Sequence, residues 1–241
     1  MRVSLNCDMG ESFGLYRMGD DQGMMPLIDV ANVACGFHGS DPDHMRATVR
    51  LAKQNGVAVG AHPSLPDLQG FGRREMKMGR EEMANCILYQ VGALAGFLRA
   101  EGMELHHIKP HGSLYGMAAR QEEIAHAVCD VADIFAVPLF GMTGTLHEKI
   151  YAARGHRFVP EFYCDLDYAP GGTLIVTREH EAKDPEEMAA RCRRALREGR
   201  GTATDGSSFP VRCETICVHS DTPNAIEIAR AVRATVLEEI L

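Results

Sequence analysis

The sequence predicts an α/β fold in which parallel strands form a barrel and helices cover its outside. Two observations support this prediction. Short apolar runs alternate with longer helical patterns along the chain, as they do in parallel βαβ units. Most of the apolar runs also lead directly into polar or titratable side chains. Such residues meet at the carboxyl ends of the strands in a β/α barrel, whereas an open sheet would gather them at a single switch point.

Seven runs have the length and composition of strands: residues 3–7, 30–35, 57–61, 105–109, 137–141, 158–162 and 216–219. An eighth run, residues 173–176, is predicted to be an extra strand or one arm of a hairpin. The helical patterns cover residues 41–55, 80–101, 122–134, 145–154, 185–198 and 222–239. Two helices are predicted to begin at an aspartate followed by proline, Asp41 and Asp184. The polar, glycine-rich residues 199–210 are predicted to form a long loop.

The chain has 241 residues and a formal net charge of −8, and we expect one domain covering residues 1–241. The negative charge argues against a nucleic-acid partner, because phosphate binding needs clustered lysine and arginine. We expect no association with a membrane, since no apolar stretch approaches the length of a span. No secretory signal is recognised, and the eight cysteines contain no CxxC pair. These features together predict a cytoplasmic protein with reduced thiols.

Alternation along the runs places the polar side chains on one face. In the first run Asn6 and Asp8 share a face opposite Leu5, because successive side chains of a strand point to opposite sides. Lys109 and His111 share a face in the same way. The polar residues at or just after the run ends are Asn6, Asp8, His38, His62, Lys109, His111, Glu161, Asp165, His219 and Asp221. We expect these residues to converge at the mouth of the barrel and to form the functional site.

Long motifs in these regions resemble those of the LamB/YcsF family. They are NCDMGESFG at residues 6–14, ANVACGFH at 31–38, GAHPS at 60–64, GFGRR at 70–74, KPHGSLY at 109–115 and TICVH at 215–219. The motifs occur in the family's order and are spread over nearly the whole chain. The sequence departs from the family's pattern at Leu166, Gly171 and Ser220, which leaves open a relative that acts on a different lactam or cyclic amide.

The resemblance implies a fold, a reaction and partners. The family is similar to the glycoside hydrolase/deacetylase superfamily, whose members are irregular seven-stranded β/α barrels of the TIM-like kind. The implied reaction is the ATP-dependent cleavage of 5-oxoproline, or of a related lactam, to the open amino acid. The implied partners are this small-molecule lactam and the B and C subunits of a 5-oxoprolinase complex.

Asp8, Glu11, Lys109 and His111 are the candidate catalytic residues. Asp8 or Glu11 is a candidate for the general base that activates water, or for a residue that orients a metal ion. The alternative for Glu11 is a role at a helix start. Lys109 is suited to stabilise developing oxyanion or phosphoryl charge, and His111 to transfer a proton. The alternative for Lys109 is a buried salt bridge with Asp8 or another carboxylate of the site.

The candidate substrate-binding residues are Asn6, Asn32, Arg73, Arg74, Glu161, Asp165, His219 and Asp221. Arg73 and Arg74 follow a glycine-rich loop and could hold a carboxylate or phosphate through paired hydrogen bonds. The alternative for these two arginines is a solvated surface pair. His219 and Asp221 could orient one another, although Asp221 is equally well placed to cap the last helix.

ATP and a divalent metal ion are the candidate cofactors. ATP would be a co-substrate, and because the chain has no GxxxxGKS/T loop, it would bind by another route or on a partner. Asp8, His38 and His62 follow three successive strand-like runs, and a carboxylate with two imidazoles is a common ligand set for zinc. Two other functions remain open: a metal-dependent carbohydrate or N-acyl deacetylase, and a non-catalytic lactam-binding subunit.

Overall fold

The computed structural model describes residues 3–175, 177 and 181–239. Its strands are β1 (Ser4–Met9), β2 (Val30–Ala34), β3 (Ala58–His62), β4 (Leu139–Gly141), β5 (Phe158–Tyr163), β6 (Asp167–Ala169), β7 (Thr173–Ile175), β8 (Arg200–Thr202), β9 (Ser208–Pro210) and β10 (Thr215–His219). Its helices are α1 (Asp21–Met24), α2 (Pro42–Asn55), α3 (Arg80–Ala100), α4 (Gly112–Arg120), α5 (Glu122–Phe135), α6 (Leu146–Ala153), α7 (Pro185–Glu198) and α8 (Ala225–Glu238). Among the described residues, no helix combines the length and the apolarity needed to cross a membrane.

A sheet of six parallel strands forms the centre of the fold, in the order β3-β2-β1-β10-β5-β4. Within this sheet Asp8 of β1 lies opposite Asn32 of β2 and opposite His219 of β10. The register of the central strands therefore brings these three polar residues together near the carboxyl ends of the strands, where α/β folds form their sites.

Ile108 connects the two edge strands of this sheet. It forms single parallel bridges to Ala61 in β3 and to Leu139 in β4. The backbone N–H of Lys109 donates to the carbonyl of Ala61 over 2.9 Å, and the N–H of Ile108 donates to the carbonyl of Pro138 over 3.0 Å. The segment around Ile108 thus spans the gap between β3 and β4.

The parallel α/β class is confirmed, but the described part of the chain contains six paired parallel strands where seven were predicted. The predicted run 105–109 forms isolated bridges instead of a continuous ladder. Two prolines give a physical reason, because Pro110 follows this run, Pro138 precedes β4, and neither has an N–H to donate.

The hairpin alternative predicted for residues 173–176 is confirmed, whereas residues 199–210 and 112–120 differ from the sequence-based prediction. The extra run at residues 173–176 is one arm of the β6–β7 hairpin, and its last residue, Val176, lies outside the described residues. The predicted loop at residues 199–210 contains a second hairpin, β8–β9. Helix α4 was not predicted, and its two glycines, Gly112 and Gly116, weaken the helical signal of a short segment.

Helix starts were predicted well from capping residues. The carboxylate of Asp41 accepts hydrogen bonds from two backbone N–H groups in the first turn of α2, and that of Asp184 accepts one in α7. Helix α8, in contrast, begins after Asn224, so the alternative that Asp221 caps the last helix is wrong. That carboxylate is engaged by an arginine of the candidate site.

The apolar core lies between the sheet and the helices. Leu5, Cys7 and Met9, on one face of β1, are fully buried in this core together with apolar residues of the surrounding helices, such as Val128 of α5. Because side chains alternate along a strand, the opposite face of β1 presents Asn6 and Asp8 to the inside of the curved sheet. This arrangement confirms the predicted division into an aliphatic face and a polar face.

Candidate functional site

A buried ammonium group stands at the centre of the polar interior. Lys109 is only 1% exposed, and its Nζ lies 3.0 Å from Asp8 Oδ1 and 3.1 Å from Glu161 Oε1. Nζ also lies 3.1 Å from Cys217 Sγ. A buried charge needs partners of this kind. Burial opposes the charge of Lys109, but Asp8, Cys217 and Glu161 raise its pKa well above the ordinary value.

Asp8 is a fully engaged carboxylate. Its Oδ1 accepts hydrogen bonds from Lys109 Nζ and from Asn32 Nδ2, the latter over 2.7 Å. Its Oδ2 lies 3.2 Å from His62 Nε2 and 3.6 Å from His219 Nε2. Burial favours the neutral acid, but His62 and Lys109 hold the pKa of Asp8 well below its ordinary value. Asp8 is therefore ionised at neutral pH, with one oxygen tied to an ammonium and an amide and the other facing imidazoles.

His219 is paired with Asp165. Its Nδ1 lies 3.1 Å from both carboxylate oxygens, its backbone N–H donates to Asp165 Oδ2 over 2.7 Å, and its ring stacks on Tyr163. Burial opposes protonation, but Asp165 and then Asp8 raise the pKa of His219 to about 9. His219 is therefore a cation at neutral pH. The sequence had suggested Asp221 as its partner, and the structure supplies Asp165 in this position.

The two neighbouring arginines have separate environments. Arg73 lines the same cavity as Asp8, and its Nη2 lies 2.8 Å from Asp221 Oδ2. The guanidinium also lies 5.0 Å from the ring centroid of Phe71. Arg74, in contrast, pairs with Asp67, and 45% of its side chain is exposed. Of the two arginines that were predicted to bind substrate, only Arg73 lines this cavity.

Asn6 and Asn32 form a polar layer beneath Asp8. Asn32 Nδ2 donates to Asn6 Oδ1 over 2.7 Å, and Asn6 Nδ2 donates to Thr215 Oγ1 over 2.7 Å. His107 Nε2 donates to Asn32 Oδ1 over 2.8 Å. All of these side chains are fully buried and neither asparagine lines the cavity. Asn32 therefore holds Asp8 and Asn6 holds Asn32, and a role of these two asparagines in substrate binding stays a prediction.

Glu161 is held by two tyrosines that the sequence patterns did not single out. Tyr163 Oη donates to Glu161 Oε2 over 2.7 Å, and Tyr115 Oη donates to the same oxygen over 3.3 Å. Cys217, which contacts Lys109, was also not singled out. A signal existed for Tyr115 and Cys217, because both lie inside the motifs that resemble those of the family. Tyr163 had no such signal, since its position one residue beyond the predicted strand gave no indication of its direction.

A second cluster joins Glu11 to three histidines, and we call Glu11, His38, His62 and His111 the histidine cluster. All four residues are buried, and they offer ligand atoms that lie within 4.8 Å of one another. Glu11 Oε1 lies 3.0 Å from His38 Nε2 and 3.4 Å from His111 Nδ1. His111 Nδ1 lies 3.0 Å from His62 Nε2. The rings of His38 and His111 stack with centroids 3.7 Å apart.

Local backbone geometry brings this cluster together. Glu11 follows β1 after Gly10, which has a positive φ of 71°, and it is 5% exposed. The turn that carries His38 packs so closely on this segment that a Cβ at Gly39 would lie 2.6 Å from the carbonyl oxygen of Glu11. Glycine at this position therefore permits the close approach.

Burial also sets the charge states in the histidine cluster. It lowers the pKa of His38 and of His111 well below the ordinary value, so both imidazoles are neutral at neutral pH. Burial, followed by the charge of Asp8, raises the pKa of Glu11 well above the ordinary value. The sequence had grouped His38 and His62 with Asp8. The structure groups these two histidines with Glu11 and His111, and it places Asp8 in a separate set with Cys217 and His219.

Two cavities adjoin these clusters. The smaller has a volume of about 40 Å³ and is lined in part by Asp8 and His219. The larger, of about 490 Å³, has Glu161 in its wall. Tyr115 and Leu174 line both cavities. The larger volume is typical of small-molecule sites, and the smaller one is close to the volume of a single water.

The chain matches a known family over almost its whole length. Residues 3–240 match the model of the LamB/YcsF family. A 5-oxoprolinase A subunit from Thermus thermophilus is 48% identical over 237 residues, which make up 97% of this chain and 95% of that protein. The lactam utilization protein lamB of Emericella nidulans is 45% identical over 241 residues, or 98% of this chain and 95% of that protein.

Two solved structures are similar to this chain. The crystal structure of a lactam utilization protein from Thermus thermophilus has a TM-score of 0.90 and 45% identity, and the match covers 99% of this chain and 97% of that one. A putative cellobiose-phosphate cleavage protein from Enterococcus faecalis has a TM-score of 0.55 at 14% identity, with 98% of this chain and 93% of that one covered. The latter likeness shows the fold alone.

Proposed function

Because the chain belongs to the LamB/YcsF family, we propose that it serves as the A subunit of a 5-oxoprolinase, opening 5-oxoproline or a related lactam to the amino acid. The proposed reaction is coupled to ATP hydrolysis and takes place in a complex with B and C subunits in the cytoplasm. One observation supports a catalytic role above all others. Asp8, Lys109 and His219 present an anion and two cations to one cavity at the carboxyl ends of the strands.

We also propose that residues 1–241 form one irregular seven-stranded barrel domain. The bridges from Ile108 to β3 and to β4 support closure, because they span the two edges of the six-stranded sheet. A closed barrel would surround the charged side chains of Asp8, Lys109 and His219 with strands on all sides and would exclude water from them. Electrostatic interactions are stronger in such a setting than in water.

The chemistry of a lactam explains the need for ATP. The amide is stable, so transfer of the γ-phosphoryl group to the carbonyl oxygen would make the carbon electrophilic and create a leaving group. One water then adds to this carbon while the bond from carbon to nitrogen breaks. The product of this step is an acyl phosphate, and a second water hydrolyses it to the γ-carboxylate and phosphate. Overall, one lactam, one ATP and two waters give one amino acid, ADP and phosphate.

Four charged groups have roles in this scheme. Asp8 Oδ2 accepts the proton of the attacking water, since Oδ1 is engaged by Lys109 and Asn32. Lys109 and Arg73 stabilise the negative charge that develops on the oxygen and on the phosphoryl group. His219, a cation at neutral pH, donates a proton to the departing nitrogen. The 3.6 Å between Asp8 Oδ2 and His219 Nε2 then allows the proton to return to the imidazole.

Reconstitution tests this function. The purified chain is mixed with ATP, 5-oxoproline and its B and C partners, and glutamate and phosphate are measured together. We expect equal amounts of both products in the complete mixture and no glutamate when this chain is omitted. Glutamate formed at the same rate without this chain would rule out the proposed role.

A second candidate function is favoured by the histidine cluster. Three imidazoles and a carboxylate suit a metal-dependent hydrolase, such as a deacetylase acting on a carbohydrate or N-acyl amine without ATP. Release of acetate from an N-acetyl sugar by the chain alone, abolished by a chelator, would select this alternative. A non-catalytic lactam-binding subunit would instead support full activity of the complex after Asp8→Asn.

A further inference from the structure

We propose that Glu11, His38, His62 and His111 form the complete ligand set of a resident divalent transition-metal ion, and that Asp8 stands outside this set. This inference goes beyond the proposed lactam cleavage and does not depend on it. It also differs from the metal site expected from the sequence, in which Asp8 was the carboxylate ligand. The hydrogen-bond partners of the imidazoles determine which of their nitrogens can face a metal.

His62 has its outer nitrogen fixed by the backbone. Nδ1 lies 2.7 Å from the carbonyl oxygen of Lys109, and a carbonyl oxygen can only accept, so Nδ1 must carry the hydrogen. Nε2 is therefore the nitrogen that faces the cluster, 3.2 Å from Asp8 Oδ2 and 3.0 Å from His111 Nδ1.

A backbone carbonyl also fixes the orientation of His111, but here the outer nitrogen is Nε2 and the inner one is Nδ1. Nε2 lies 2.9 Å from the carbonyl oxygen of Phe71, so Nε2 carries the hydrogen and Nδ1 bears the lone pair in the neutral ring. Nδ1 faces His62 Nε2 and also Glu11 Oε1, which is 3.4 Å away. Backbone carbonyls that orient imidazoles by their outer N–H are typical supports of metal-ligating histidines.

The two inner nitrogens lie 3.0 Å apart, so a proton or a metal ion must lie between them. With the oxygen of Glu11 beside them, they form a pocket of donor atoms inside a buried region. His38 turns Nε2 towards this pocket, 3.0 Å from Glu11 Oε1, and its Nδ1 is buried without a hydrogen-bond partner among the described residues. A divalent ion in the pocket would make attractive contacts with all four side chains.

The donor types and spacings indicate the class of ion. Three nitrogens and one oxygen suit zinc and similar borderline ions. Bonds of about 2.0–2.1 Å at tetrahedral angles place ligand atoms roughly 3.3 Å apart. The closest pairs in the cluster lie 3.0, 3.0 and 3.4 Å apart, so they need only small adjustments around such an ion.

Asp8 lies outside this set of ligand atoms. Lys109 and Asn32 hold its Oδ1 at 3.0 and 2.7 Å, and the four ligand atoms that lie within 4.8 Å of one another come from Glu11 and the three histidines, without Asp8. Glu11, in contrast, lies against the imidazoles of His38 and His111. The proposed metal site and Lys109 are therefore neighbours with different carboxylate partners: Glu11 for the metal, and Asp8 and Glu161 for the ammonium group.

The test measures metal content in the isolated chain, with neither lactam nor ATP present. The protein is purified without chelator, and its metal content is measured by inductively coupled plasma mass spectrometry. The metal is then removed with a chelator, and the protein is reloaded with Zn²⁺ or Co²⁺. We expect about one equivalent of metal per chain and a Co²⁺ visible spectrum typical of four-coordinate nitrogen and oxygen ligands. We also expect a higher melting temperature with metal than without it.

Variants identify the ligands. His38→Ala, His111→Ala and the shape-preserving Glu11→Gln should each reduce metal affinity by at least about tenfold, whereas Asp8→Asn should retain one equivalent. His126→Ala on the outer helix α5 is the matched control and should bind metal as the unmodified chain does. Circular dichroism establishes that each variant is folded.

Two results would overturn the assignment. The first is a folded chain that binds less than a tenth of an equivalent of Zn²⁺ or Co²⁺ after refilling, which would mean that a proton occupies the pocket. The second is metal that survives all three ligand substitutions, which would mean an adventitious ion only. Neither result bears on lactam turnover, so the two proposals can fail separately.

Discussion

Asp8 and Lys109 meet at 3.0 Å in the buried interior of the sheet, from β1 and from the segment that bridges β3 and β4. Glu161 of β5 completes the cluster at 3.1 Å from the same ammonium. Three segments far apart in sequence thus share one buried charge cluster. Its stability and its chemistry both depend on the charges remaining paired, so removal of one charge should be costly.

Replacing Lys109 by methionine should destabilise the fold by about 3–5 kcal/mol, because it leaves two buried carboxylates without their cation. Urea denaturation measures this difference in the free energy of unfolding. Lys149→Met is the control, since Lys149 forms an exposed pair with Glu122 and such pairs contribute about 0–1 kcal/mol. Adding Glu161→Gln to Lys109→Met should recover part of the loss, and no recovery would contradict the charge argument.

His219 should make stability fall as the pH rises. Its pKa is about 9 in the folded chain and about 6.5 when unfolded, so between these values the folded state binds more protons. The stabilisation is complete below pH 6.5 and is lost as the pH passes through 9, amounting to roughly 3 kcal/mol. Denaturation curves from pH 6 to pH 10 would show this decline. The decline should become shallower in His219→Gln, and an identical slope in both proteins would refute the assignment.

Gly60 should tolerate no side chain. A Cβ at this position would lie 1.9–2.4 Å from atoms of the His107 ring, and that ring supports Asn32 beneath Asp8. Gly60→Ala should therefore cost about 1–3 kcal/mol through overpacking. The control is Gly92→Ala in α3, where a Cβ meets nothing within 4 Å; this change should stabilise the protein by roughly 0.5–1 kcal/mol. Thermal melting of both variants provides the comparison.

Arg73 and Arg74 should differ in their effect on turnover. Arg73→Lys removes a planar guanidinium from the cavity wall and should lower kcat/KM of the reconstituted complex by roughly 10- to 100-fold. Arg74→Lys changes a partly exposed pair with Asp67 and should leave kcat/KM close to that of the unmodified protein. The reverse order of effects would show that Arg73 does not act on the substrate.

Much of the site could be predicted from strand periodicity. Residues two apart on a strand share a face, so Asn6 and Asp8, and likewise Lys109 and His111, could be placed together without a structure. Their convergence required only the rule that parallel strands present their carboxyl ends at one edge.

The pairings within the site could not be predicted in this way. Asp165 and His219 meet because β5 and β10 are neighbouring parallel strands whose register places Tyr163 opposite Cys217, and spacing along the chain does not reveal which strands are neighbours. Arg73 and Arg74 diverge after Phe71, whose φ of 53° is unusual for a residue other than glycine. Glu11 joins the histidine cluster through a loop conformation that periodicity does not describe.

The most direct test of the central claim is the effect of Asp8→Asn on glutamate release from 5-oxoproline by the complex reconstituted with its B and C partners. Asp43→Asn, an exposed change in the first turn of α2, is the matched control, and circular dichroism establishes that both variants are folded. If Asp8 is the general base, Asp8→Asn should lower the rate by about 10²- to 10⁴-fold, and the control should retain the full rate. Glutamate release by a folded Asp8→Asn complex at the rate of the unmodified complex would contradict this role.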